Sequence, residues 1–216
     1  MAPVIVDPSR IKEFATETAF ESWLAKHHDE EHELWIRIYK KGSGVRSVTP
    51  AEAIDVVLCW GWIDGQRKGY DELSFLQRYT PRRAKSIWSD INRENVARLI
   101  KAKRMTPHGL RHVEAAKADG RWTAAYKGPR TMTVPDDLMR AIEADRKALA
   151  TYQKLDKRTR WVLSFRLGNL RTAAGRAKRI ATYVQMLRRG ETILPSKSPA
   201  RRERRGGQRI KGTKSA

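Results

Sequence analysis

The sequence predicts an α+β fold: a small antiparallel sheet packed with helices, followed by an all-helical C-terminal region and a disordered basic tail. Period-two alternation of apolar residues, rich in β-branched and aromatic side chains, is confined to the front half. From residue 86 onward, apolar residues recur at helical spacing. Residues 195–216 carry eight Lys or Arg, one acid and no aromatic residue, a composition that cannot bury a core. The expected division is an α+β module at 1–92, a helical region at 93–192 and the tail at 193–216.

The first helix is predicted from Thr18, because Thr18 and Glu21 have the spacing of a capping box. Three apolar residues then share one face of this helix: Phe20, Trp23 and Leu24. The first strand is predicted at residues 34–40, where Leu34, Ile36 and Ile38 alternate to one face.

A second capping box, formed by Thr49 and Glu52, predicts the start of the second helix. Two strands are then predicted at residues 62–68 and 73–80, joined by a short turn. Pro81 has no backbone N–H, so we expect it to end the second of these strands.

The remaining elements are predicted to be helices. One is expected to begin around Ser86 and another at Thr106-Pro107, where proline suits the first helical position. A third is expected from Pro135, and two more at residues 158–167 and 172–188.

The charge of the chain is distributed unevenly. Residues 1–100 contain 15 Lys or Arg and 15 Asp or Glu, whereas residues 101–216 contain 30 and 9, and therefore hold the whole net charge of +21. Such asymmetry suggests that the basic C-terminal half meets a polyanion, which could be nucleic acid, an anionic membrane surface or an acidic protein. A solvated basic surface with no partner explains the same numbers.

The sequence also indicates where the protein is found. No signal peptide is recognisable at the start, and no apolar run approaches the ~20 residues of a transmembrane helix. Cys59 is the single cysteine, which excludes an internal disulfide. We therefore predict a cytoplasmic protein without a transmembrane segment, and make no prediction of its oligomeric state.

A cluster of arginines is the strongest candidate site. Arg78, Arg82 and Arg83 flank a predicted strand end and lead into a helix start, where guanidinium groups and free backbone N–H groups both favour an anion. We therefore predict a small anion-binding site at these arginines. Its walls are expected to come from three residues: Trp62, Asp64 and Trp88. The alternative is an ordinary cluster of surface ion pairs.

Other candidate motifs have simpler structural explanations. His28 and His32 match a metallopeptidase pattern, and His108 and His112 are also four residues apart, but both pairs read as surface positions without a third ligand. Cys59 lies near a helix C-terminus, which does not activate a thiol, and is interpreted as a core residue. We predict no catalytic residue, no metal and no cofactor.

Three short motifs carry a resemblance to a known family. They are LCWGWIDG at 58–65, RYTPRR at 78–83 and SIWS at 86–89. Together they resemble the YdeI/OmpD-associated family of bacterial proteins, and the resemblance extends over residues 4–192. It implies an N-terminal module similar to the YjbR/CyaY-like fold, followed by helices. The family is linked in name to bacteriocin protection and to an outer-membrane porin, and the resemblance implies no reaction, cofactor or catalytic residue. The basic tail is not part of the family pattern.

Three functions remain open from the sequence. The first is a non-enzymatic protein of bacteriocin or envelope-stress protection that binds an anionic ligand or partner. The second is a nucleic-acid-associated protein that uses its basic C-terminal half, which salt-dependent binding of DNA or RNA would favour. The third is an enzyme acting on a small anionic substrate at the arginines, for which a bound phosphate would be evidence.

Overall fold

The computed structural model describes residues 6–170 and 172–194, and the chain divides into two units, Met1–Lys127 and Gly128–Ala216. The first unit therefore contains the sheet together with the two helices that follow it. Apart from Ile193 and Leu194, the predicted tail lies outside the described residues.

The first unit combines a four-stranded sheet with four α-helices along its described part. Its elements are β1 (Ile11–Lys12), α1 (Glu17–His27), β2 (Leu34–Tyr39), α2 (Pro50–Cys59), β3 (Trp62–Gly69), β4 (Ser74–Pro81), α3 (Asp90–Lys101) and α4 (Pro107–Ala118). The strand order is β1-β2-β4-β3. The pairs β2–β4 and β3–β4 are antiparallel, whereas β1 runs parallel to β2. The predicted α+β class is confirmed, but the sheet is mixed, because a two-residue strand is too short to leave an alternating pattern in the sequence.

The helix starts test the capping predictions. The capping box at Thr49 is present in full: its side chain accepts from the Glu52 backbone, and the Glu52 side chain accepts from the Thr49 backbone. The box predicted at Thr18 is wrong, since Thr16 is the N-cap of α1 and its Oγ1 accepts from the backbone N–H of Ala19 at 3.1 Å. Helix α3 begins at Asp90 with Ser89 as its cap, later than the predicted start near residue 86.

Two buried clusters hold the first unit together. The first lies between the sheet and helices α1 and α2, and includes Phe20, Leu24, Ile36 and Ile38. The second joins α2 to α3 and α4, and includes Trp88. Helix α2 contributes to both clusters, so it connects the sheet to the helices that follow.

The start of α4 lies unusually close to the end of α2. Thr106 Oγ1 donates to the Cys59 carbonyl at 2.6 Å, and a Cβ atom built on Gly109 would stand only 2.3 Å from that same oxygen. Only glycine leaves room for this approach, which sets the position of the first turn of α4.

The second unit contains α5 (Asp136–Glu143), α6 (Arg146–Lys154), α7 (Lys157–Gly168) and α8 (Ala173–Arg188). Helix α6 was not predicted, because it is short and mostly polar. The four helices share a buried cluster with eight members: Leu138, Ile142, Ala148, Tyr152, Leu163, Leu167, Tyr183 and Leu187. Among the described helices of the whole chain, none is long and apolar enough to cross a membrane.

Candidate functional site

Arg82 is a buried cation at the end of the sheet. Its backbone N–H donates to the Gly61 carbonyl at 2.9 Å, directly beyond the last paired residues of β3 and β4. Only 5% of the residue is exposed. The guanidinium carbon lies 3.6 Å from the centre of the Trp88 ring, and Nη1 donates to the Ile87 carbonyl at 3.2 Å. The side chain is therefore held against the segment that leads into α3.

The stacked pair of Arg82 and Trp88 holds three donors without acceptors. Within the described residues, Arg82 Nε, Arg82 Nη2 and Trp88 Nε1 are all buried and lack a hydrogen-bond partner. Both side chains can only donate through these nitrogens. Because buried polar groups are almost always paired, three orphan donors on two touching side chains require an explanation.

The electrostatics around Arg82 are incompletely balanced. Burial lowers the pKa of Arg82 to about 10, opposed by the nearby Asp64 carboxylate, while Arg121 lowers it further. Among the described residues, no carboxylate lies within ion-pair distance of Arg82. More than a third of Asp64 is accessible to solvent, yet crowding by protein atoms raises the pKa of its carboxyl. Arg82 is thus a charged group at neutral pH without a paired anion.

Arg121, which sequence reasoning missed, acts beside Arg82. Its Nη1 donates to the Ser86 carbonyl at 2.9 Å, one residue before the carbonyl that Arg82 binds. The guanidinium groups of Arg121 and Arg82 therefore hold the segment between β4 and α3 in place by hydrogen bonds to two consecutive backbone carbonyls. The only sequence signal for Arg121 was its place next to Trp122, whose ring packs against Trp88 with centroids 4.9 Å apart.

The other residues of the predicted site lie elsewhere. Arg78 is committed to Glu33, to which its Nε donates at 2.6 Å, and Arg83 is exposed. Trp62 is buried in the cluster between the sheet and helices α1 and α2, and its Nε1 donates to the His28 carbonyl at 3.3 Å. Trp88 belongs to the other cluster. The structure therefore brings Arg82 and Trp88 together, with Asp64 nearby, but does not gather all three arginines.

One histidine from each predicted pair meets the other. His28 Nε2 lies 3.1 Å from His108 Nδ1 and 3.2 Å from Asp29 Oδ2. His32 is exposed, and His112 packs against Gly61 instead. The four-residue spacing within each predicted pair plays no part in this contact, because His28 and His108 are 80 residues apart in the chain. The sequence contained no signal for this contact.

Cys59 has the character of a core residue. It is fully buried, and burial raises the pKa of its thiol to about 12. Its reactive thiolate form is thus scarce at neutral pH.

The second unit has a strongly basic surface. Its described residues include fourteen Lys or Arg and six Asp or Glu. Within that described part, only Arg176, Arg188 and Arg189 form ion pairs. On α7, the stacked rings of Trp161 and Phe165 lie 4.8 Å apart among basic residues.

Comparisons with known proteins found two family matches. Residues 12–112 match a domain of unknown function, DUF8412. Residues 131–190 match the family described as "Bacteriocin-protection, YdeI or OmpD-Associated". The motifs at 58–65 and 78–83, on which the resemblance was based, lie in the first match and not in the second. Neither the curated proteins nor the solved structures contained a match, so the YjbR/CyaY-like fold of the N-terminal module stays a prediction.

Proposed function

Since this chain carries a domain of the predicted YdeI/OmpD-associated family at residues 131–190, we propose that it is a non-enzymatic, cytoplasmic binding protein of bacteriocin or envelope-stress protection. Its ligand is a small oxyanion, or a partner that presents one, and Arg82 is the group that binds it. The observation that carries this proposal is the set of three unpartnered donors on Arg82 and Trp88.

An oxyanion matches what these donors lack. It supplies several acceptor oxygens, and its negative charge compensates a buried guanidinium that has no ion pair among the described residues. A hydrogen bond to a charged group contributes ~1.5–3 kcal/mol. Two or three such bonds, formed in a site with little water, are sufficient for measurable affinity.

The segment from Arg83 to Ile87 provides the route for the ligand. Most of its residues are exposed, and its last two carbonyls are held by the side chains of Arg121 and Arg82. An anion that reaches the unpartnered donors of Arg82 and Trp88 enters past this segment, which opens when the two carbonyl contacts break. Binding therefore competes with a local contact and leaves the sheet and helices in place.

The direct test is calorimetry with inorganic phosphate, sulfate and nucleotides, together with the rise of melting temperature that a ligand of the native state produces. Arg82→Met keeps an apolar chain against Trp88 but removes the guanidinium donors and leaves only Trp88 Nε1, so it should weaken binding at least tenfold. Arg83→Met is the matched control, because the neighbouring Arg83 is exposed and should not affect affinity. Equal affinities of wild type and Arg82→Met, with both proteins folded by circular dichroism, would reject the site.

The protective role needs a separate measurement in cells. Cells that lack the protein should survive a bacteriocin challenge less well, and wild type should restore survival whereas Arg82→Met should not. If a variant that no longer binds anions in vitro restored survival fully, the anion site would not be needed for protection. Fractionation of the same cells tests the cytoplasmic location.

A second candidate function is binding of a nucleic acid by the second unit. The specific observation is on α7, where the stacked pair Trp161 and Phe165 is interleaved with the exposed Arg158 and Arg166. Aromatic rings that stack on bases, flanked by cations that contact phosphates, are typical of surfaces for single-stranded nucleic acids. The excess of Lys and Arg over Asp and Glu among the described residues of this unit supports the same function.

Salt dependence tests this candidate. Affinity for a random oligonucleotide should fall linearly with salt on logarithmic axes, and Arg158→Gln with Arg166→Gln should reduce the slope by about two. Undetectable binding at low salt would remove nucleic acids as partners.

A further inference from the structure

Three metal-ligating side chains meet where the end of α1 approaches the start of α4. His28 is the C-cap of α1, Asp29 follows it, and His108 is the second residue of α4. One ligand atom from each lies within 4.8 Å of the others. We infer that His28, Asp29 and His108 form a binding site for a divalent transition metal ion, with zinc as the ion that fits these ligands best.

The distances between the ligand atoms fit a tetrahedral site. Zinc binds imidazole nitrogen and carboxylate oxygen at about 2.0–2.1 Å, so neighbouring ligand atoms of a tetrahedron are separated by roughly 3.3 Å. His28 Nε2 is 3.1 Å from His108 Nδ1 and 3.2 Å from Asp29 Oδ2. These two edges already have the required length, and a modest movement of the exposed Asp29 adjusts the third. Water then occupies the fourth position.

Hydrogen bonding alone does not satisfy this cluster. His108 Nδ1 faces both His28 Nε2 and Arg111 Nη2, the latter at 2.9 Å. If Nδ1 accepts, two N–H groups compete for its single lone pair, and if it donates, it opposes the guanidinium. A single proton on His28 Nε2 also serves both His108 and Asp29. A metal ion removes the conflict among the three ligand atoms, because each then contributes a lone pair to it once Arg111 has turned away.

The surroundings hold the two histidines in place. The Trp60 ring contacts both imidazoles, with centroids 4.8 Å from His28 and 5.7 Å from His108. The hydrogen bond from Thr106 to the Cys59 carbonyl and the close approach at Gly109 fix the turn that carries His108. His28 and His108 are half-buried and Asp29 is exposed, so an ion can reach the site from solvent.

The charges around the site both favour and oppose the binding of a metal cation. The N-terminus of α4 and the Arg111 guanidinium are positive, whereas the Asp29 carboxylate and the C-terminus of α1 are negative. Arg111 is exposed and can turn away when the ion binds. Removing it should therefore strengthen binding, a result that a purely structural histidine pair would not produce.

The experiment uses the full chain, stripped with a chelator and titrated with zinc chloride by calorimetry, and with Co²⁺ to detect visible absorption from tetrahedral coordination. One ion per chain is expected. His108→Ala and Asp29→Asn should each weaken zinc binding at least tenfold. Loss of a residue that only hydrogen-bonds to a metal ligand already lowers metal affinity about 10–100-fold, and these two residues are proposed as ligands themselves. Arg111→Ala should bind zinc several-fold more tightly.

His32→Ala is the matched control, since His32 is an exposed histidine in the same connection, and it should bind as wild type does. Asp29→Asn leaves the buried clusters untouched, so it tests the site even if His108→Ala misfolds. Less than one zinc per chain at saturation would overturn the inference. So would unchanged affinity in Asp29→Asn and folded His108→Ala, or loss of binding in His32→Ala alone.

Discussion

Replacing Gly109 by alanine should destabilise the first unit, although alanine is ordinarily the better helix former by about 1 kcal/mol. Gly109 lies in the first turn of α4, where an added Cβ would stand 2.3 Å from the Cys59 carbonyl oxygen and 2.6 Å from that of Leu58. Both neighbours are backbone atoms that cannot rotate away. Helix α4 would have to shift outward by roughly 1 Å, which strains the packing around it.

The magnitude follows from two opposing terms. Overpacking of this kind costs typically ~1–3 kcal/mol, and the gain in helix propensity returns about 1 kcal/mol. We expect an overpacking cost in the upper half of this range, because the Thr106 hydrogen bond to the Cys59 carbonyl also weakens as α4 moves. The net loss should be about 1–2 kcal/mol, or several degrees in melting temperature for a unit of this size.

Urea denaturation followed by tryptophan fluorescence is a suitable assay, because Trp161 is the one tryptophan of the seven that lies in the second unit. Gly69→Ala is the control, since a Cβ there meets no atom within 4 Å and its backbone needs no positive φ. Unchanged or increased stability of Gly109→Ala would refute the close approach of α4 to α2. The same variant should also bind zinc more weakly, because it displaces His108.

Three further predictions concern individual contacts. Thr49→Ala removes the capping box of α2 and should cost about 1 kcal/mol in urea denaturation, and no change would show that the box is dispensable. Hydrogen bonds from Ser74 lower the pKa of Asp71 from 3.8 to about 2. The ionised Asp71 carboxylate therefore stabilises the folded state fully above pH 3.8, and this contribution is lost as the pH falls through 2. Acid unfolding in this window should therefore be steeper for wild type than for Asp71→Asn, and parallel curves would contradict this. Asp137→Asn breaks a partly exposed, bidentate pair with Arg176 and should cost about 1 kcal/mol in urea denaturation followed by circular dichroism; a loss several times larger would mean that the pair is structurally essential.

Local features of this fold could be predicted from the sequence. Strands β2, β3 and β4 and the helix starts at Thr49 and Thr106-Pro107 follow from periodicity and capping, which involve residues close together in the chain. The short strand β1 and the polar helix α6 could not be predicted, because neither carries a strong apolar pattern of its own.

The candidate sites depended on the tertiary structure. In the sequence, Arg82 is one of three similar arginines, and only the packing of Trp88 against it shows that Arg82 is buried and Arg83 is not. The sequence suggested His28 and His108 only as members of two separate pairs. They meet because α4 approaches α2 at Gly109, and the distance between helices far apart in the chain is a property of packing that no local pattern encodes.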